Sequence, residues 1–190
     1  MKLAIISGNP KNEGLCSKMT EEIIRGAKSG NAEVVEITMQ GISGCRSCNG
    51  GQGSCLSEYH CIFGKDGFDD AQNKIQNAEA IAIVTPVYWA EINDGLKMFL
   101  DRLRRCESST PFNPRKAALT GKPVLLMTSA GGSGRGYLTA LEELERFCQH
   151  TGAVIYDSFG VNRWNHDYKG LALYSAAKTM VEGRKPGESI

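Results

Sequence analysis

The 190-residue chain is long enough for one domain with a sizeable hydrophobic core. It carries 22 Lys and Arg against 21 Asp and Glu, so no overall charge favours nucleic acid or an anionic membrane as a partner. The apolar run in the opening MKLAIISGNP is too short for a signal peptide or a membrane span. We therefore expect a cytoplasmic protein that binds a small molecule and has no nucleic-acid or membrane partner.

Apolar runs alternate with helix-like patterns along the chain. A short continuous apolar run is typical of a buried strand in a parallel sheet, and apolar residues three or four apart indicate one face of a helix. The patterns predict strands at 2–7, 32–39, 80–85, 122–129 and 153–161, and helices at 15–29, 66–77, 94–106, 137–150 and 168–182. Such alternation predicts an α/β fold with a five-stranded parallel sheet covered by helices on both faces.

The elements predict a single domain at 1–184 with a Cys-rich insertion loop at 43–66, followed by a frayed tail at 185–190. Parallel sheets of this kind bind ligands at the carboxyl ends of their strands, where the strand order reverses. The loops after the first, third and fourth strands are therefore the places to look for a site.

The first loop, SGNPKNEGLCS at 7–17, leads into a helix N-terminus. Unpaired backbone N–H groups and the helix dipole suit a phosphate at such a position. The loop lacks both GxxxxGK[ST] and the spacing of GxGxxG, which argues against a nucleotidase or dinucleotide fingerprint. An anion cradle rich in Asn, Lys and Ser remains, with an ordinary polar turn and helix cap as the alternative.

The segment GCRSCNGGQGSCLSEYHC at 44–61 holds four of the seven cysteines in a C-x2-C-x6-C-x5-C spacing. No periodicity runs through it, so we expect a long loop. In a reducing cytoplasm, clustered thiols favour metal binding or redox chemistry over structural disulfides. Three hypotheses stay open for Cys45, Cys48, Cys55 and Cys61: a [4Fe–4S] cluster, a zinc or other structural metal, and free or redox-active thiols at a subunit contact.

Two further loops follow the third and fourth strands. In the first of them, Tyr88 and Trp89 come directly after a buried strand, where adjacent aromatic rings could border a planar cofactor or simply cover a hydrophobic flank. The second, SAGGSGRG at 129–136, has four glycines that permit a close backbone approach, and a plain flexible loop is the alternative. Together with the first loop they predict one shared site.

Three segments together resemble the flavodoxin-like NADPH-dependent FMN reductases and their iron–sulfur flavoprotein relatives. They are GNPKNEGLCS, the CxxC ahead of KDGFDD, and PVYWAEINDGLKMFLDR, which is the most specific. The resemblance implies a flavodoxin-like three-layer α/β/α sandwich with strand order 2-1-3-4-5. It also implies an FMN-binding oxidoreductase that passes electrons from NAD(P)H through the flavin to a quinone, a flavin or another small molecule, assembled as a homodimer or homotetramer.

Two alternatives to that function stay open: an iron–sulfur flavoprotein electron carrier that uses the four loop cysteines, and a non-enzymatic flavin- or metal-binding redox sensor. The six-residue spacer NGGQGS between Cys48 and Cys55 is longer than the one that the iron–sulfur relatives commonly have. In the reductase interpretation the flavin performs the chemistry, and no catalytic side chain is required.

The resemblance implies site residues in three groups. The residues that would hold the FMN phosphate are Asn9, Lys11, Asn12, Leu15, Cys16 and Ser17. The residues bordering the flavin ring are Pro86, Val87, Tyr88 and Trp89, and those on its other side are Ser129, Ala130, Gly131, Gly132, Arg135 and Gly136. Asn9 stands where the family usually has Ser, Lys11 where it has Arg, and Leu15 and Cys16 where it has Asn and Thr, so Leu15 can offer only its backbone N–H.

Overall fold

The computed structural model describes residues 1–107 and 117–184. The expected frayed tail at 185–190 lies outside the described residues. None of the described helices combines the length and apolar character needed to span a lipid bilayer.

Five parallel strands form the sheet in the order β2-β1-β3-β5-β6. They are β1 (Lys2–Ser7), β2 (Glu33–Thr38), β3 (Ala80–Tyr88), β5 (Pro123–Ala130) and β6 (Val154–Asn162), and β4 (Glu91–Ile92) pairs antiparallel with the end of β3. Counted without β4, this is the expected order 2-1-3-4-5, so the predicted sheet is confirmed. The extra strand was missed because two residues held by a tight turn carry no hydrophobic pattern.

Helices cover both faces of the sheet. The long ones are α1 (Leu15–Ser29), α4 (Phe68–Asn77), α5 (Asp94–Glu107), α6 (Tyr137–Thr151) and α7 (His166–Val181), and two single turns, α2 (Cys48–Gly51) and α3 (Cys55–Glu58), lie in the cysteine-rich segment. That segment was expected to be a long loop, and the two short turns lie within it. No local periodicity predicts these turns, and α3 packs against α5.

The hydrophobic core has two parts, one on each side of the sheet. Alternate residues of β1 supply both parts: Leu3 and Ile5 pack toward α1 and α7, and Ala4 and Ile6 pack toward α4, α5 and α6. Gly26 lets α1 approach α7 closely, since a Cβ there would lie 2.2 Å from the Tyr174 carbonyl oxygen. The core thereby brings the carboxyl ends of the neighbouring strands β1, β3 and β5 to one edge.

Candidate functional site

The loop after β1 is folded by its own polar groups. Gly8 N–H donates to the Val84 carbonyl at 2.8 Å, which ties the loop to β3. The Asn9 amide donates to the Lys11 carbonyl at 2.6 Å and to Ser17 Oγ at 2.8 Å, and its oxygen accepts the Lys11 N–H at 3.3 Å. The Asn9 side chain therefore shapes the loop and holds it against the first turn of α1.

The N-terminus of α1 has no side-chain cap. Gly14 occupies the cap position with φ 96°, so the N–H groups of the first turn receive no side-chain acceptor from it. A cavity of about 180 Å³ adjoins this turn, and it is lined in part by Lys11, Asn12 and Ser17. Glu21 and Glu36 also line it, so an anion is favoured only where Lys11 and the helix N-terminus outweigh the repulsion from these carboxylates.

Two predicted phosphate residues offer backbone rather than side-chain contacts. Cys16 is buried at 5% exposure in the core beneath α1, and burial raises the pKa of its thiol to about 11 despite contacts with the Ser129 and Thr20 side chains. The Cys16 thiol therefore faces the core. Leu15 is half-buried and packs against the same part of the core, so both residues would contact a phosphate through N–H groups.

A hairpin follows the central strand. Val87 pairs with Ile92 and Tyr88 with Glu91, and the turn between them has two residues with positive φ, Trp89 at 52° and Ala90 at 66°. Two successive positive φ values characterise a turn that matches strand twist, but for residues other than glycine they cost about 1 kcal/mol each. The Trp89 side chain is 99% exposed, so the strained turn holds an indole ring in solvent at the carboxyl end of β3.

The glycine-rich loop after β5 touches this hairpin. Ser129 is aligned with Pro86 in the sheet, and both Ser129 and Ala130 are buried. Gly136 has φ +83°, and a Cβ there would lie 2.6 Å from Ala90 Cα. Around Gly131 and Gly132 there is open space, and Arg135 is exposed. The two loops predicted to border a flavin ring therefore meet, with room beside them for a planar group.

Trp164, just beyond β6, was missed by the sequence analysis. Its ring packs on Gly134, where a Cβ would lie 2.3 Å from Trp164 Cζ3, yet the side chain remains 64% exposed. An aromatic residue just after a strand at the ligand-binding edge was the available signal. Since Gly134 and Gly136 belong to one loop, Trp89 and Trp164 flank it at the same edge of the sheet.

The cysteine-rich segment folds back on itself despite its long spacer. A Cβ at Gly53 would lie 2.6 Å from Cys48 Sγ and 3.8 Å from Cys55 Sγ, so both thiols approach the same glycine. Burial raises the pKa of Cys55, and the nearby charges of Cys61, Cys48 and Cys45 raise it further. The other three thiols predicted as a group therefore lie near Cys55, and Gly53 leaves room for Cys48 and Cys55 to approach it.

These thiols do not converge on one point. Within residues 1–107 and 117–184, no three His, Cys, Asp or Glu side chains are placed to hold a metal ion. A fifth thiol, Cys106 of α5, lies near Cys55 and accepts the Gln72 amide N–H at 3.0 Å. Burial raises the Cys106 pKa to about 12. All seven cysteines are free, so the donor chemistry suits a thiolate-bound metal, but binding would require the side chains to move together.

Arg102 forms hydrogen bonds at both ends of the cysteine-rich segment. It donates from Nη1 to Asp66 Oδ2 at 2.7 Å and to the Ser43 carbonyl at 2.8 Å, and from Nη2 to the Phe63 carbonyl at 2.8 Å and to Cys61 Sγ at 3.4 Å. Burial opposes ionisation of Asp66, but hydrogen bonds from Arg102 and Ser43 outweigh it and hold the pKa of this carboxyl well below its usual range. The segment is thus anchored to α5 by charge-assisted hydrogen bonds.

Comparison with known proteins gives a consistent result. Residues 1–166 match the family described as NADPH-dependent FMN reductase. An iron-sulfur flavoprotein of Archaeoglobus fulgidus is 29% identical over 54% of this chain and 46% of its own length. An iron-sulfur flavoprotein of Methanosarcina thermophila is 24% identical over 87% of this chain and 83% of its own length. A solved archaeal flavodoxin, 16% identical, superposes with a TM-score of 0.61 over 96% of this chain and 98% of its own. The flavodoxin-like fold is thereby confirmed.

Proposed function

This chain belongs to the NADPH-dependent FMN reductase family, and from that premise we propose that it binds FMN and passes electrons from NAD(P)H to a small-molecule acceptor such as a quinone or a free flavin. The meeting of the hairpin turn with the glycine-rich loop, through Ala90 and Gly136, carries the proposal. The exposed rings of Tyr88 and Trp89 and the open space around Gly131 and Gly132 support it, since the β1–α1 loop begins at the same edge of the sheet.

The residues present suit FMN. An anion would be held by Lys11, Asn12 and Ser17 and by the N–H groups of Leu15 and Cys16, in the loop that Asn9 shapes. The ring would lie between two segments: Pro86, Val87, Tyr88 and Trp89 on one side, and Ser129, Ala130, Gly131, Gly132, Arg135 and Gly136 on the other. Bound flavin supplies hydride acceptance and electron transfer, while the protein binds and orients it.

The test is reconstitution followed by turnover. Protein incubated with FMN should quench flavin fluorescence at a stoichiometry of one, and the complex should oxidise NADPH or NADH in the presence of a quinone or free FMN. A complex that neither nucleotide reduces would contradict the reductase and favour a redox sensor. Failure to bind FMN at all would contradict both.

A second candidate, an electron carrier with an iron–sulfur cluster, is favoured by the placement of Cys48 and Cys55 against the same glycine. The four thiolates of Cys45, Cys48, Cys55 and Cys61 are the ligand set that a [4Fe–4S] cluster requires. Anaerobically purified protein should then contain iron and acid-labile sulfide. Zinc in their place would indicate a structural metal, and metal-free protein with four titratable thiols would indicate redox-active or structural cysteines.

We further propose that the protein forms a homodimer or homotetramer and acts in the cytoplasm. The exposed side chains of Trp89, Leu138, Trp164, Tyr168 and Leu171 support self-association, since large exposed apolar groups near one edge commonly mark an interface. Light scattering at several protein concentrations tests it, and a monomer at all of them would contradict it.

A further inference from the structure

A groove extends from the hairpin along helices α5 and α6. It has an inner lobe of about 820 Å³, which includes Tyr88 and Trp89, and an outer lobe of about 500 Å³, which reaches His150 near the end of α6. Ile92, Arg104 and other side chains line both lobes, so the two are continuous. Cys45 and Ser47 also line the inner lobe, so the groove joins the hairpin and the cysteine-rich segment to the surface of α5 and α6.

The charge of this groove changes along its length. Acidic side chains outnumber basic ones in the inner lobe, where Glu91 and Asp94 add to Asp101 and Glu143. Basic side chains outnumber acidic ones in the outer lobe, which is lined by Lys97, Arg104, Arg105 and Arg146. A ligand with its phosphates at one end and an uncharged or cationic ring at the other matches this gradient.

Two of the outer-lobe cations form no ion pair with any described residue, although Asp101 and Glu143 line the same lobe. Lys97 is paired with Asp101 at 2.6 Å and Arg146 with Glu142 at 2.8 Å. No ion pair to Arg104 or Arg105 is formed within the part of the chain that the structure describes.

The Nε atom of Arg105 is in addition buried, and it has no hydrogen-bond acceptor among the described residues. A ligand cannot reach this closed atom, so it would contact Arg105 only through the part of the side chain that lines the groove.

Apolar side chains line the outer lobe together with the arginines. They are Leu100 and Phe147, with Ile92 shared by both lobes. Apolar side chains and guanidinium groups in one groove are the features that hold an aromatic base joined to phosphate.

We propose that this groove binds the phosphate-bearing adenosine half of NADPH. The phosphates lie at Arg104 and Arg105, the base lies on Leu100 and Phe147, and the nicotinamide end points toward Tyr88 and Trp89. The assignment rests on the proposed function, since it needs NADPH as electron donor. It adds a recognition site on α5 and α6, outside the three loops assigned to FMN.

The test compares two hydride donors in the FMN-loaded protein. The double variant R104Q/R105Q should raise KM for NADPH roughly tenfold or more, because two charge-assisted contacts are lost, and should leave kcat nearly unchanged. Reduced nicotinamide mononucleotide, which lacks the adenosine half, should show the same KM with variant and wild type. R104K/R105K keeps the charge but loses the planar guanidinium, so its KM for NADPH should lie between those of the wild type and R104Q/R105Q.

The matched control is R25Q. Arg25 is exposed on α1, on the opposite face of the sheet, and pairs with Glu22. Its removal should change KM for neither donor. Calorimetric titration with adenosine 2′,5′-bisphosphate should show binding to the wild type and to R25Q, and at least tenfold weaker binding to R104Q/R105Q.

The outcomes separate this site from the proposed function. If the wild type oxidises NADPH but R104Q/R105Q leaves its KM unchanged, or raises KM equally for both donors, the adenosine site is wrong. If the wild type fails to oxidise NADPH, the reductase proposal falls, and bisphosphate binding that depends on the two arginines still supports the groove as a site. Equal bisphosphate binding by all three proteins would overturn it.

Discussion

Arg102 and Asp66 form an ion pair with Nη1 and Oδ2 2.7 Å apart, although the two residues are separated by 36 positions. The Arg102 side chain is only 3% exposed, and its guanidinium also stacks over the Phe68 ring at 4.1 Å. Through this pair α5 holds the cysteine-rich segment at the point where it rejoins the core. Removing one partner would leave a buried charge without compensation.

We therefore expect Arg102→Met to lower the free energy of unfolding by about 3 kcal/mol and to speed alkylation of Cys61, because the segment that carries Cys61 is no longer anchored to α5. Urea unfolding and mass-spectrometric alkylation rates measure the two effects. Lys97→Met on the same helix removes only an exposed pair, so it should cost less than about 1 kcal/mol. Similar losses in both variants would contradict the anchoring role.

Glu107 should make stability depend on pH near neutrality. Its side chain is fully buried, and burial raises its pKa to about 7 despite the Leu119 N–H at 2.9 Å and the charge of Lys122. Since the folded-state pKa lies above the unfolded value of 4.5, the folded protein holds this proton more tightly. The stability from Glu107 is thus full below pH 4.5 and is lost as pH rises through 7.

Glu107→Gln should abolish that loss. The free energy of unfolding of the variant minus that of the wild type should therefore be roughly 3 kcal/mol larger at pH 8 than at pH 5. Urea unfolding at several pH values gives the comparison. The exposed Glu142→Gln serves as control and should leave the pH profile of the wild type unchanged. Parallel profiles for Glu107→Gln and wild type would show that Glu107 titrates normally.

Gly136→Ala should weaken FMN binding at least tenfold, because the new Cβ would lie 2.6 Å from Ala90 Cα and φ is +83°. The hairpin turn would have to move away from the glycine-rich loop. Flavin fluorescence quenching measures the affinity. Gly170→Ala in α7 meets no atom closer than 3.5 Å, so it should leave the affinity unchanged, and an unaffected Gly136→Ala protein would contradict the predicted ring site.

The loop cysteines and Cys106 should behave differently if a cluster is bound. Cys48→Ser and Cys55→Ser each remove a proposed ligand and should abolish iron and sulfide in anaerobically purified protein, with FMN still bound. Cys106→Ser keeps all four proposed ligands and should retain the cluster. Loss of iron in the Cys106 variant alone would show that the ligand set was assigned wrongly.

The sequence by itself determined the layered fold, because hydrophobic periodicity is a local property and this chain follows it closely. The predicted helix at 15–29 coincides with α1 (Leu15–Ser29), and all five parallel strands lie where apolar runs predicted them. The three loops of the candidate site followed from the same pattern, since carboxyl ends of neighbouring parallel strands meet at one edge.

Only the tertiary structure decided the contacts between distant segments. No local signal predicts that Trp89 and Ala90 adopt positive φ, because neither is a residue that usually does so. The approach of Cys106 to Cys55 and the unpaired state of Arg104 and Arg105 depend on how α5 packs against the cysteine-rich segment and α6. Such contacts arise from the positions of whole helices in the core, which one stretch of sequence does not encode.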